Sequence, residues 1–267
     1  MKILDSWLIS HSIIYLTTIF LIMFFIINSH HITLTSTFLS IILGWAFYGW
    51  SSVGHDLLHM GYYNLAICIF DSWLISSETW IIMHHVIHHQ SPCTEKDTMC
   101  LRGNNIFSEL YYLYIGSLIN KKINKNKKKS NKKRLKVAPW WKILLRLPFY
   151  FFCIKFIKLW YLLIIIISFR FFYGYFGFIG HCHVKLNHSN NDNWVTRQIS
   201  TTVDILPDSW LCSLITGGLN AHLVHHLNPT ISRSQAYIES IKNKKYYGKN
   251  YRIINTWKDL WIFWKTR

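Results

Sequence analysis

The sequence predicts an all-α integral membrane protein, with four transmembrane helices and a cytoplasmic helical cap that carries clustered histidines. Three observations predict it. Residues 6–55 contain no Asp, Glu, Lys or Arg, a run long enough for two bilayer crossings of ~20 residues each. The chain is 51% hydrophobic yet carries a formal net charge of +17, which points to apolar spans in lipid with basic loops outside them. And four of its 15 histidines fall in one short stretch, Met83-His84-His85-Val86-Ile87-His88-His89.

Residues 7–27 and 34–53 form the first two expected spans, and Asn28-Ser29-His30-His31 between them reads as a tight turn. No small-residue cleavage pattern follows the first span, so it is read as a membrane helix rather than a signal peptide. His30 and His31 have no helical partner nearby and read as interfacial turn residues. Just past the hairpin, His55 and His59 stand at i, i+4 on one helical face. Asp56 beside them is placed to accept a second ring N–H, which fixes a histidine tautomer.

Residues 62–82 are apolar but carry Asp71 and Glu78, both costly in a spanning helix. They are expected to lie as an amphipathic or re-entrant helix on the interface. In an α-helix that continued from there, His85, His88 and His89 would aim three imidazoles at one point. A polar loop over residues 90–97 and a short aromatic helix over 106–119 follow. The Lys/Asn run at 121–136 has no interleaved aromatics, so it reads as a cytoplasmic loop obeying the positive-inside rule and not as a nucleic-acid surface.

Residues 141–154 and 159–178 are the third and fourth expected spans. The first of them is short and leans on snorkelling by Arg146 and Lys155. Arg170, well inside the last, must face other helices or reach toward an interface. Four spans with both termini on the basic side put every histidine group on the cytoplasmic face. The sequon Asn187-His188-Ser189 would then stay unglycosylated. The six cysteines form no C-x-x-C pair, so no disulfide framework is expected, and Cys182 reads as a free thiol.

The spelling H-x-x-H-H occurs twice, at His85, His88, His89 and at His222, His225, His226. At this histidine content one occurrence is expected by chance only ~0.05 times. Histidine is the commonest metal ligand, so a metal site is expected. Spacing alone does not separate iron from zinc. No Ser-His-Asp arrangement and no phosphate-cradling glycine loop competes for the chemistry.

The ordered set H-D-x-x-H at His55, H-x-x-H-H at His85 and G-G-L-N-x-H-x-x-H-H-L-x-P from Gly217 to Pro229 resembles the membrane fatty-acid desaturase superfamily. The stretch from Asn193-Trp194 through Gln198 and Thr201-Thr202 to Pro229 is its most specific part. The resemblance implies four membrane helices and a cytoplasmic di-iron site that uses O2. It implies His55, His59, His85, His88, His89, His222, His225 and His226 as iron ligands. A ninth ligand is expected just after the fourth span, from His183 with His181 as the alternative; His84 is an extra beside the pattern. Asp56 and Asn220 are read as residues supporting the ligands, and His188 as a loop residue.

No H-P-G-G motif of a fused cytochrome b5 domain occurs in these residues, so electrons are expected from a separate donor of cytochrome b5 or ferredoxin type. His222 stands where front-end desaturases often carry Gln, a departure from that subgroup. The implied substrate is a membrane lipid or acyl-CoA. The implied location is a multi-pass membrane site, the endoplasmic reticulum if the cell is eukaryotic. A fatty acyl, sphingolipid or carotenoid hydroxylase or ketolase on the same scaffold is the alternative.

Overall fold

Asp5 starts the first helix: its carboxylate accepts the Leu8 N–H at 3.1 Å. In the computed structural model, which describes residues 5–29, 31–71, 80–94, 97, 147–181 and 193–259, that helix is α1 (Ser6–Asn28). α2 is Leu34–His59, α3 Tyr63–Asp71, α4 Leu147–Phe156 and α5 Leu159–His181. The expected aromatic helix at 106–119, the basic loop at 121–136, residues 141–146, His183, Asn187 and His188 lie outside the described residues.

α1 and α5 have 23 residues each and are the two described helices long and apolar enough to cross a membrane. At 1.5 Å per residue each is about 35 Å long, against a bilayer core of ~30 Å. Their outward faces are apolar: Phe20, Leu21 and Phe24 on α1 and Ile166, Ile167 and Phe171 on α5 are exposed. Arg170 also lies on the exposed side of α5.

α2, at 26 residues, is richer in small and polar residues because it packs between the other two. Ser36 meets the Tyr161 hydroxyl of α5 at 2.7 Å. A Cβ added to Gly44 would lie 2.6 Å from Ser168 Cβ, and one added to Gly49 would enter the Tyr15 ring of α1. Small residues at such contacts let helix backbones approach closely. α4 has ten residues, about half a bilayer core in length, and accounts for the later part of the expected third span.

The remaining elements form a cap over one end of these helices. A π-helix runs from Ile81 to His88, and α6 is Trp194–Thr201. β1 (Asp204–Ile205) pairs in parallel with β2 (Ile253–Ile254), tying the C-terminal segment to the cap. Between them come α7 (Trp210–Thr216), α8 (His222–Leu227), a 3-10 turn (Arg233–Gln235) and α9 (Ala236–Tyr247). α7 lies against the first two helices: Tyr15 donates to the Leu214 carbonyl and Trp45 Nε1 to the Ile215 carbonyl.

Candidate metal centre

Nothing in the sequence stops α2 at the end of the expected second span, so it runs on to His59. His55 and His59 therefore stand one turn apart on its last turns, with ring centroids 4.7 Å apart. α5 likewise runs on past residue 178 and delivers His181 as its last residue. α8 carries His222, His225 and His226. Its first turn is held by Asp204, whose carboxylate accepts the Leu223 N–H at 2.7 Å, the Val224 N–H at 3.1 Å and the Tyr251 hydroxyl at 2.5 Å.

The second histidine stretch departs from the α-helix that its spacing suggests. It is a π-helix, in which the His89 N–H reaches back to the His84 carbonyl at 3.0 Å. The wider turn changes which side chains share a face. In α register His85 would align with His88 and His89; in π register His84 does. His84 accordingly stands among the clustered rings, fully inside, while His85 is half-buried and stacks on the His59 ring at 3.8 Å between centroids. π segments are rare and concentrate at functional sites.

Two groups of histidines result. His55, His59, His84, His89 and His225 form one, and His88, His181, His222 and His226 the other; within each, one nitrogen per ring lies within 4.8 Å of the rest. His55 Nε2 is 2.8 Å and His89 Nε2 3.1 Å from His84 Nε2, and His222 Nε2 is 2.8 Å from His181 Nε2. The groups adjoin because His88–His89 and His225–His226 each send neighbouring side chains to different groups. The His89 and His226 rings stack at 4.6 Å. Gly180 leaves room for this: a Cβ there would lie 2.5 Å from His222 Cδ2.

Four of the other ring nitrogens are tied back to the protein, while His84 Nδ1, His89 Nδ1 and His222 Nδ1 are buried with no hydrogen-bond partner among the described residues. His55 Nδ1 meets Asp56 Oδ1 at 2.8 Å and His88 Nδ1 meets Asp97 Oδ2 at 2.8 Å. His181 Nδ1 donates to the Thr201 carbonyl at 2.7 Å, and His226 Nδ1 to Gln198 Oε1 at 2.7 Å. Gln198 also donates to the His89 carbonyl at 2.8 Å. A tied Nδ1 sets the tautomer and leaves the Nε2 lone pair for a metal.

Burial first, and then repulsion from neighbouring rings, holds His59, His84, His89, His222, His225 and His226 well below the ordinary imidazole range. Burial and His88 lower His181 too. These rings are neutral donors at pH 7. Burial would raise the Asp56 carboxyl, but Arg233 and His55 outweigh it and keep it below the usual carboxylate range. Burial pushes Asp204 up to about 7 in spite of its three donors.

The donor set fits metal ions. His59 Nε2, His225 Nε2 and His226 Nε2 are buried with no hydrogen-bond partner, each a state that costs ~1–3 kcal/mol if nothing else engages it. Two nitrogens bound at about 2.1 Å to one ion at right angles sit about 3 Å apart, close to the spacings found. All-imidazole sites suit iron, zinc, copper or nickel.

Set against the sequence-based expectations, His55, His59, His88, His89, His222, His225 and His226 are gathered, with His84 and His181 completing the nine. His85 stands outside both groups, and His183 lies outside the described residues. Asn220 does not meet a ring: its side chain donates to the Leu206 carbonyl at 3.0 Å, holding the turn that leads into α8. Sequence reasoning does not assign a supporting role to Asp97, Gln198, Thr201 or Arg233. Gln198 and Thr201 lie within the Asn193–Pro229 stretch, whereas nothing local marks Asp97 or Arg233.

A model of the fatty acid desaturase family matches residues 32–237. Among curated proteins, the chain is 36% identical over 64 residues to a probable Delta(5) fatty acid desaturase C of Dictyostelium discoideum, covering 24% of this chain and 12% of that one. It is 34% identical over 68 residues to an acyl-lipid (8-3)-desaturase B of the same organism, covering 26% and 14%. The matched segments thus span less than a sixth of either relative. No solved structure matches the chain. The family match takes in α2, the π-helix with His89 just past its end, α5 and α8, which together carry all nine gathered histidines, and the chain belongs to the fatty acid desaturase family.

Proposed function

We propose that this protein is an integral-membrane acyl desaturase that inserts a double bond into a fatty acyl chain, using O2 and electrons from a separate donor at a histidine-held pair of iron ions. The observation that carries the reading is the division of nine histidines into two adjoining groups of five and four. One ion in each group, bound to neutral nitrogens, would leave the pair side by side. Bound there, two irons supply the oxidising power that no side chain has for an unactivated C–H bond. Zinc would bind such nitrogens equally well but is redox-inert.

The chain's own residues do the rest. Asp56, Asp97, the Thr201 carbonyl and Gln198 orient four of the rings. Trp80 stacks on His84 at 5.0 Å and stands edge-on to Tyr173 of α5 at 6.0 Å, which walls the five-histidine group on the side of the helices. Apolar walls of this kind exclude water and hold an acyl chain in register.

The membrane reading extends to topology. The four stretches 7–27, 34–53, 141–154 and 159–178 are proposed as the spans, with both termini and the histidine groups on the cytoplasmic side, in the endoplasmic reticulum if the cell is eukaryotic. The start of α1 and the ends of α2 and α5 lie at the same end of the bundle, where Arg233 meets His11 and Asp56 and His181 meets His222. The exposed Lys242, Lys244 and Lys245 of α9 offer positive charge for docking an acidic electron donor or an acyl carrier.

The test is expression in a desaturase-deficient host, with fatty-acid profiling and iron analysis of the purified protein. A new unsaturated acyl chain that disappears in His225→Ala, with about two irons per wild-type chain, supports the reading. A hydroxylated product, or zinc in place of iron, overturns it.

A further inference from the structure

Arg233 lies in the 3-10 turn after α8 and is buried. All three of its guanidinium nitrogens are engaged: Nε donates to Asp56 Oδ2 at 2.6 Å, one terminal nitrogen to His11 Nδ1 of α1 at 3.1 Å, and the other to Ser52 Oγ of α2 at 3.2 Å. The other oxygen of Asp56 meets His55 Nδ1 at 2.8 Å. A continuous chain of bonds therefore runs from Arg233 through Asp56 to a ring of the five-histidine group.

The surroundings are shaped to this side chain. Gly218 adopts a left-handed backbone, φ +87°, and a Cβ there would lie 2.8 Å from Arg233 Nε. Next to it, the Ser234 hydroxyl donates to Asp5, the residue that caps α1. The guanidinium is planar and presents its donors in a fixed fork; an ammonium is a point charge on a flexible stem. Only the former can hold the Asp56 carboxylate in one plane while gripping both helices.

We propose that Arg233 is the positioning residue of the five-histidine pocket. It fixes the Asp56 carboxylate and through it the His55 ring, and its bonds to His11 and Ser52 set that ring relative to the first two helices. Among the described residues, three rings of the four-histidine group are oriented instead by Asp97, the Thr201 carbonyl and Gln198. The proposal rests on the two-metal reading above.

The experiment loads the full chain, purified in detergent, with 57Fe(II) without air and measures iron per chain and the Mössbauer spectrum. Wild type is expected to hold two irons in two distinguishable sites. Arg233→Met is expected to keep about one, with the signal of one site lost and the other unchanged. Arg233→Lys, which can reach Asp56 but not all three partners, is expected to shift that same signal alone, and it decides the matter if Arg233→Met does not fold. A wild-type spectrum in Arg233→Lys, or in a folded Arg233→Met, overturns the role of Arg233, as does equal loss of both signals from a folded variant. A wild type without two irons overturns the two-metal reading itself, and this proposal with it.

Discussion

His181 Nε2 lies 2.8 Å from His222 Nε2 although 41 residues separate them in the chain. One comes from the last residue of a long apolar helix and the other from the first residue of a six-residue cap helix. Two lone-pair nitrogens at that distance need a proton or a cation between them, and a metal ion is what the surrounding donors suit.

Gly180 makes this approach possible, because a methyl group there would collide with the His222 ring. Gly180→Ala is expected to lower metal affinity at the four-histidine group by about 10–100-fold, the range seen when ligand orientation is disturbed, while helix content stays unchanged. Metal titration with circular dichroism on the same sample checks it.

The π register of residues 81–88 separates two neighbours that differ by one position. His84→Ala is expected to remove most bound metal from the five-histidine group. His85→Ala is expected to keep it, because His85 stands outside that group. Metal analysis of the two variants side by side decides; the reverse pattern would mean an α-helical register.

Gln198 connects the His226 ring to the His89 backbone. Gln198→Ala removes both bonds without touching a ligand, and activity in the lipid-profiling assay is expected to fall by about 10–100-fold. Gln198→Glu retains the acceptor for His226 and is expected to fall less.

Asp204 is the anchor of α8. Asp204→Ala strands two backbone N–H groups and the Tyr251 hydroxyl in the interior, each worth ~1–3 kcal/mol if left unpaired. A marked drop in melting temperature is expected, with α8 losing hydrogen-exchange protection first.

The metal-free protein should weaken in acid. Eight histidines of the cluster, His59, His84, His85, His89, His181, His222, His225 and His226, are held below 6.5 in the folded state, so below that pH the unfolded chain binds more protons and stability falls as pH falls. Above it these rings contribute no slope. Asp204, raised from 3.8 to about 7, acts in the opposite sense between those values, but it is one carboxyl against eight imidazoles. Melting temperature after chelation is expected to be flat from pH 8 to 7 and to decline below about 6.5; a rise on acidification would contradict the burial of these rings.

Much of this arrangement is visible in the order of the residues. The charge-free run at 6–55 and the apolar run at 159–178 specify long helices because no proline interrupts the backbone hydrogen-bond ladder in either. The repeated H-x-x-H-H spelling marks the histidine stretches, since spacing of three and four is a local property of a helix. Helix ends are less legible. α2 and α5 both overrun their expected bounds, and in doing so they carry His59 and His181 into place.

What the chain could not show by itself is which rings share a group. Periodicity assumes one helical register, and the π-helix exchanges His85 for His84 by widening a turn, a change that packing of the whole histidine cluster settles. Arg233 and Asp97 are equally invisible locally, because a single charge in a loop reads as solvated until the fold buries it against a partner; Arg233 is 177 positions from Asp56 in the chain. Local spacing determined the helices and the kind of ligand. The grouping of the ligands and the bonds that orient them arise only when distant segments are packed together, because burial, not sequence proximity, gives a polar contact its strength.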